Sequence, residues 1–424
     1  MNISRLLRSP KKVFYGWWII LSGMISNIFN GAMYTYGLSA FFLPISNEFG
    51  WKRAVMSAPI ALSRLEGALI GPVEGYFADR FGPRKLILIG VILMGAGSVI
   101  LSRMNSLAML YLVFILCRGF GAGLVSISIQ VAVVNWFRKR RALGMGITGG
   151  GYNVGAMVTP VVVWLIATRG WRGAALIIGL VTWVVQIPLS RVIRHRPEPF
   201  GYFPDGMTEQ QVKEAEASSK IGGTVEEQSF TPKQAVRTRA FWFINLTYAS
   251  RVMVTAAVPI HLIPFIQDLG YSAAVGGSMM ALMGLCALIG RVGLGYVADI
   301  LPKRYVFAFC MTMLGVSVLV LSSAQSVWQL VLWAMLYGPG YGGGAPIMSS
   351  MVADYYGRKF YGTINGLTHM AMVVTTVVGP VFAGYMFDVT GSYRLAFISF
   401  AAVCVIGALS AILARRPQLP SALT

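Results

Sequence analysis

Four arginines interrupt stretches of this sequence that are otherwise almost free of charge: Arg64, Arg118, Arg251 and Arg291. Glu66 and, nearer a charged loop, Glu74 are the acids that accompany them. A guanidinium presents a planar fork of donors that matches a carboxylate, so four cations against two acids suit an anion and oppose a cation. His261 and His369 stand in similar stretches, and a histidine titrates near neutral pH. Together with Glu66 they are the groups able to carry a proton. Tyr34, Tyr248 and Tyr341 can donate hydroxyls to a ligand, and Tyr341 is followed by three glycines that let a ligand approach the backbone. For each tyrosine the plainer alternative is aromatic packing, and for each histidine a local hydrogen bond. Other chemistry finds no support. Cys117, Cys286, Cys310 and Cys404 lie singly in apolar stretches, and neither Cys-x-x-Cys nor His-x-x-x-His occurs, so no disulfide or metal site is indicated. The glycine clusters lack a following Lys-Ser/Thr, which leaves no nucleotide cradle, and no cofactor or paired catalytic set of an enzyme is seen.

The elements that carry these residues must be membrane helices. Hydrophobic residues make up 56 % of the 424 positions and charged residues only 12 %, with a mean hydropathy of +0.66. A soluble chain carries about twice that charged fraction. Spans of about 20 apolar residues fall near Phe14 to Phe42, Val55 to Ala78, Leu86 to Leu101, Leu107 to Trp136, Leu143 to Ile166 and Ala174 to Ile193. A second set falls near Phe241 to Phe265, Gly276 to Tyr296, Tyr305 to Leu321, Val327 to Val352, Tyr361 to Met386 and Leu395 to Leu413.

The net charge of +20 invites a nucleic-acid reading, but its distribution is topological. With the N-terminus inside, the outer loops hold only Lys52, Arg53, Arg103, Arg169, Arg172 and Arg394, and nearly all other basic residues lie in inner segments. That is the positive-inside pattern, and it needs no nucleic acid. The first span is too long for a cleaved signal core and stands behind the basic leader Arg5, Arg8, Lys11 and Lys12, so it is expected to remain.

The chain is written twice. Gly-Tyr-Phe-Ala-Asp at 75 to 79 recurs as Gly-Tyr-Val-Ala-Asp at 295 to 299, an offset of 220, and Pro160 is answered by Pro380. Asn-Trp-Phe-Arg-Lys at 135 to 139 is echoed by Asp-Tyr-Tyr-Gly-Arg-Lys at 354 to 359. A constant offset across unrelated local motifs argues for a duplicated six-helix unit in parallel orientation. The expected units are 1–193, a hydrophilic inner linker 194–239, and 240–424, with a binding site where the units meet. Thr231-Pro232 pairs an N-cap residue with Pro at the first helical position, which predicts a short helix leading into the seventh span.

Residues Gly75 to Lys85 read Gly-Tyr-Phe-Ala-Asp-Arg-Phe-Gly-Pro-Arg-Lys. They resemble the loop signature of the major facilitator superfamily, with a weaker copy at Gly295, Asp299 and Arg304. Trp136-Phe137 followed by Arg-Lys-Arg-Arg-Ala-Leu-Gly, the glycines 149 to 151, the segment Arg196 to Gly206 and Gly290-Arg291 are similar to the monocarboxylate transporter and oxalate:formate antiporter group. The resemblance implies an all-α membrane protein of twelve helices in two six-helix bundles, moving a small monocarboxylate anion by alternating access through proton symport or anion exchange. By position in that group, Arg291 inherits contact with the substrate carboxylate. Gly75, Asp79, Arg80, Gly82, Arg84, Lys85 and Asp299 inherit the inner gate, although plain charge anchoring also explains Arg84 and Lys85. Two departures stand out: Ala287 occupies the place of an acid in mammalian monocarboxylate transporters, and His369 stands on the eleventh span where oxalate antiporters carry a Lys. A monoanion is therefore favoured over a dianion.

Depth supports a shared site. At 1.5 Å per residue, Arg291 lies about 12 Å from Asp299, Arg251 about 18 Å from Arg239 and His369 about 15 Å from Lys359. Arg251, Tyr341, His369, Tyr34 and Tyr248 join Arg291 as candidate substrate contacts. The expected setting is the inner or plasma membrane, multi-pass, both termini cytoplasmic, as a monomer. Rival readings are an exporter of drugs or other amphipathic compounds, which the excess of buried cations opposes, and a non-transporting membrane sensor.

Overall fold

A computed structural model describes residues 14–35, 40–51, 70–207 and 229–418. The first half comprises α1 (Gly16–Phe29), α2 (Phe42–Phe49), α3 (residues 70–81), α4 (Pro83–Ser102), α5 (Leu107–Phe114), α6 (Ala122–Trp136) and α7 (Arg141–Val192). The second comprises α8 (Pro232–Val236), α9 (Arg239–Asp268), α10 (Ala273–Ile300), α11 (Lys303–Ser322), α12 (Val327–Tyr356), α13 (Tyr361–Ala371), α14 (Val373–Thr390) and α15 (Arg394–Leu413). Most of the expected second span lies outside the described residues. Among the described residues eight helices are long and apolar enough to cross a membrane.

Helix starts fall where polar side chains meet the backbone groups left free at the first turn. Ser106 accepts from the Met109 amide at 3.4 Å, and 220 positions later the Ser326 amide donates to Gln329 Oε1 at 3.1 Å. Thr231 and Gln234 form a reciprocal cap on α8, the short helix expected there. The fifth and sixth spans form one run of 52 helical residues, α7, broken only at Gly170, where φ is 68° and ψ is 164°. A continuous helix of that length would extend about 78 Å, far beyond a hydrocarbon core of about 30 Å. Gly170, able to take a positive φ, is where the chain reverses. Two expected spans are also less regular than their sequences suggest, with π-helical turns at Asn30–Thr35 and Ile115–Gly121. Such turns leave backbone groups off the regular ladder.

Two bundles result. In the first, α1 and α4 pack on α7, and α4 also packs on α6; in the second, α10 and α11 pack on α12, α11 on α15, and α9 on α14 and α15. Trp136, Trp333, Phe307, Phe397 and Phe400 are fully enclosed. Trp164, Val184, Ile289 and Val374 are each more than 60 % exposed, an outer apolar surface that lipid, not water, must cover.

The segment after α7 folds back on the first bundle. Asp205 Oδ2 accepts from the Arg138 and Lys139 amides at 3.0 and 2.8 Å, while Asn135 and Trp136 donate to the carbonyls of His195 and Arg194, both at 3.0 Å. The segment before α9 belongs to the second bundle: the Phe230 amide donates to the Tyr356 carbonyl at 3.0 Å, and Thr238 Oγ1 lies 2.8 Å from the Tyr356 hydroxyl.

Candidate functional site

The bundles meet at the end that carries the basic loops. Asp79, near the end of α3, accepts from the Gly362 and Thr363 amides, each at 2.9 Å, and from Thr363 Oγ1 at 3.0 Å. Asp299, near the end of α10, accepts from the Ala142 and Leu143 amides at 2.9 and 2.8 Å. Both pairs of amides open helices, α13 and α7, where free donors and a positive dipole end favour an anion. Burial nonetheless pushes the Asp79 carboxyl up from 3.8 to about 6, outweighing the Thr363 and Gly362 hydrogen bonds and the nearby Arg196 charge. The approach depends on Gly75: a Cβ there would lie 2.0 Å from the Gly362 carbonyl oxygen.

Around these carboxylates is a network the sequence reading missed. Arg141 Nη1 bonds Asp354 Oδ1 at 2.9 Å, Lys303 reaches Asp354 at 2.5 Å, and Arg358 pairs with Glu198 at 2.7 Å. Gln130 Oε1 accepts from the Tyr361 hydroxyl at 3.2 Å and Asn365 Nδ2 at 3.0 Å. A polar Gln in the apolar fourth span was the available signal. The rest of the predicted gate is divided: Gly82, at φ 83°, lies against the His195 ring, Arg80 donates to the Tyr76 hydroxyl at 2.6 Å, and Arg84 and Lys85 are exposed.

Deeper in the membrane, four of the predicted residues form one chain of contacts. Arg251, 5 % exposed, donates to the Tyr341 carbonyl and lies over the rings of Tyr248 and Tyr341 at 5.4 and 5.5 Å. Tyr248 meets His369 edge to face at 6.1 Å. Tyr341 stacks on Tyr337 at 6.0 Å, and Tyr337 packs on Trp333 at 5.1 Å. This aromatic column runs at i, i+4 and i+8 along α12, a spacing visible in the sequence but not read from it. Arg291, on α10, instead crosses to the other bundle, where Nη1 donates to the Gly149 carbonyl at 2.5 Å. Arg291, Tyr341 and His369 are partly exposed.

Tyr34 is not brought to this group. It is enclosed in the first bundle, its hydroxyl 2.8 Å from Thr182 Oγ1 and 3.2 Å from Ser98 Oγ. His261 lies between the Tyr393 hydroxyl at 3.3 Å and the Pro380 carbonyl at 3.0 Å, joining α9, α14 and the loop before α15. Glu66 lies outside the described residues.

A sequence profile described as Major Facilitator Superfamily matches residues 20–299 and 245–423. The chain belongs to the major facilitator superfamily. It is a multi-pass membrane transporter of the twelve-helix fold and not an enzyme. Monocarboxylate transporter 13 of Rattus norvegicus is 25 % identical, aligned over 93 % of this chain and 87 % of its own. Monocarboxylate transporter 4 of Gallus gallus is 26 % identical over 90 % and 79 %. Among solved structures, the E. coli fucose:proton symporter FucP aligns with a TM-score of 0.68 at 14 % identity, covering 95 % of this chain and 98 % of that one. The human organic anion transporter MFSD10 aligns at 0.69 and 14 % identity, over 95 % and 100 %.

Proposed function

We propose that this transporter carries small monocarboxylates, with Arg291 as the residue that binds the carboxylate. The observation that carries the reading is the pairing of cations with carbonyls: Arg251 and Arg291 each donate to a neutral backbone oxygen at depth in the bundles. A carboxylate is a stronger partner for a guanidinium than a carbonyl, because the bond is charge-assisted at both ends and can be bidentate. Arg251, clasped between Tyr248 and Tyr341, supplies a fixed positive field behind the site, and Tyr341 and His369 supply donors beside the bound acid. Its sequence relatives, named monocarboxylate transporters, support the same class. The basic end is cytoplasmic in this reading, by the positive-inside rule, in an inner or plasma membrane. The bundles are then closed toward the cytoplasm in this conformation, and rocking about the site exposes it to either side in turn.

The test is uptake of labelled lactate, pyruvate, formate and oxalate into proteoliposomes, with and without an inward proton gradient, for wild type and Arg291→Lys. Gradient-driven monocarboxylate uptake that the lysine variant loses supports proton symport through Arg291. Uptake that needs a trans acid instead of a gradient supports exchange. Absence of uptake for every acid, with binding of cationic compounds in its place, overturns the reading.

A further inference from the structure

Two helix crossings join the bundles, and the repeat relates them. A Cβ on Gly366 of α13 would meet the Gly71 carbonyl oxygen of α3 at 2.4 Å, and a Cβ on Gly146 of α7 would meet the Arg291 carbonyl oxygen of α10 at 2.5 Å. These contacts correspond at an offset of 220, so Arg291 stands where Gly71 stands in the other crossing, and Gly149 stands where His369 does. Gly149 and His369 lie three residues past Gly146 and Gly366, on the helix face already turned to the other bundle. At the α7–α10 crossing this sets the Arg291 side chain of the second half against bare glycine in the first. The two crossings differ in their bonding. Arg291 Nη1 donates to the Gly149 carbonyl, and the three atoms nearest to a Cβ on Gly149 all belong to Arg291, Nη1 being 2.8 Å away. Gly71 has no side chain with which to make the matching bond.

We propose that the Gly149 carbonyl is a built-in competitor for Arg291, so that a substrate carboxylate must displace it and in doing so releases α10 from α7. The inference rests on the monocarboxylate reading above. In the empty carrier the bond holds the bundles together at the α7–α10 crossing. In the loaded carrier the guanidinium turns to the acid, the neutral carbonyl keeps only its helix-ladder bond, and one restraint on separation is gone. Occupancy and opening are coupled because a bidentate hold on the acid swings Nη1 away from the Gly149 carbonyl. Gly149 is thus a positioning residue, and its lack of a side chain is what lets the carbonyl be reached.

The experiment uses the full chain in nanodiscs, with spin labels at Lys85 and Lys359 and with lactate, formate and oxalate as probes. Gly149→Ala places a methyl 2.8 Å from Nη1, and Gly149→Val fills more of the same space. Both should increase the separated population without any acid, in that order. Both should also bind lactate about ten- to hundredfold more tightly than wild type, as expected when a competing hydrogen bond to a charged group is removed. In unsubstituted protein carrying only the labels, lactate alone should lengthen the distance and speed amide exchange in residues 144–152, which checks the idea without altering Gly149. Weaker lactate binding by the glycine variants, or distances unchanged in all of them, overturns the proposal. If wild type binds none of the acids yet the glycine variants separate, the carboxylate reading falls and the restraint at Gly149 stands.

Discussion

Asp79 and Asp299 lie 220 positions apart and make the same contact in opposite directions across the bundle interface. Each carboxylate accepts the first amides of a helix in the other half, Asp79 from Gly362 and Thr363 and Asp299 from Ala142 and Leu143. Charge-assisted bonds of this kind contribute about 1.5–3 kcal/mol. Asp79→Ala and Asp299→Ala should therefore each shift the closed-to-open ratio by about tenfold or more, and by similar amounts. Distances between spin labels at Lys85 and Lys359 measure this, and a large shift in one variant with none in the other would contradict the equivalence.

The raised Asp79 pKa predicts an acid-favoured closed state. Its carboxyl titrates at about 6 in the closed form against an ordinary 3.8, so the closed form binds the proton more tightly. Closure at the basic end should strengthen as pH falls from 7 to 4, and the advantage should be lost as pH rises through 6. Asp79→Asn, fixed in the neutral form, should flatten this part of the pH profile. The same label pair, read across pH, decides the sign.

Gly75→Val should hold the bundles apart without unfolding either one. Its Cβ would lie 2.0 Å from the Gly362 carbonyl oxygen, a contact between bundles. Gly342→Ala strikes within the second bundle, with a Cβ 1.9 Å from the Ala287 carbonyl oxygen. It should lower thermal stability by about 1–3 kcal/mol, the usual penalty of overpacking. Melting curves and label distances should separate the two variants cleanly.

Arg251 and Arg291 should separate by the same logic. Arg251→Ala removes a buried guanidinium clasped by two tyrosine rings and a carbonyl, and should lower stability by about 3 kcal/mol or more. Arg291→Ala should leave the melting temperature within a few degrees of wild type while abolishing binding of lactate. Paired measurements of melting and equilibrium binding test both.

Much of this architecture was readable because it is repeated. The offset of 220 located both aspartates, and Thr231-Pro232 marked α8, since caps and motif residues act through their own local identity. Their partners were not readable: Asp79 and Asp299 are answered by backbone amides, which every residue but proline possesses. Helical phase was equally hidden for single residues. Nothing local distinguishes Arg251, turned into its own bundle, from Arg291, which reaches the other, or shows that Tyr34 is held by Thr182 and Ser98. The π-helical turns at Asn30–Thr35 and Ile115–Gly121 lie in sequence without proline that a regular helix would also accommodate. In the sequence Gly149 is one of three consecutive glycines, and only the packing of α7 on α10 turns its carbonyl into a partner for Arg291.

The chain on either side of 208–228 is committed to different bundles. Asp205 is tied to Arg138 and Lys139, while Phe230 and Thr238 are tied to Tyr356. The bonds between the halves are side-chain and backbone contacts, most of them at the basic end and one, from Arg291 to Gly149, deeper in the bundles, and covalent continuity contributes to none of them. Two polypeptides divided within that stretch retain every contact described, so co-expressed halves are expected to find each other in the bilayer and reconstitute a working carrier, as two subunits of a heterodimer would.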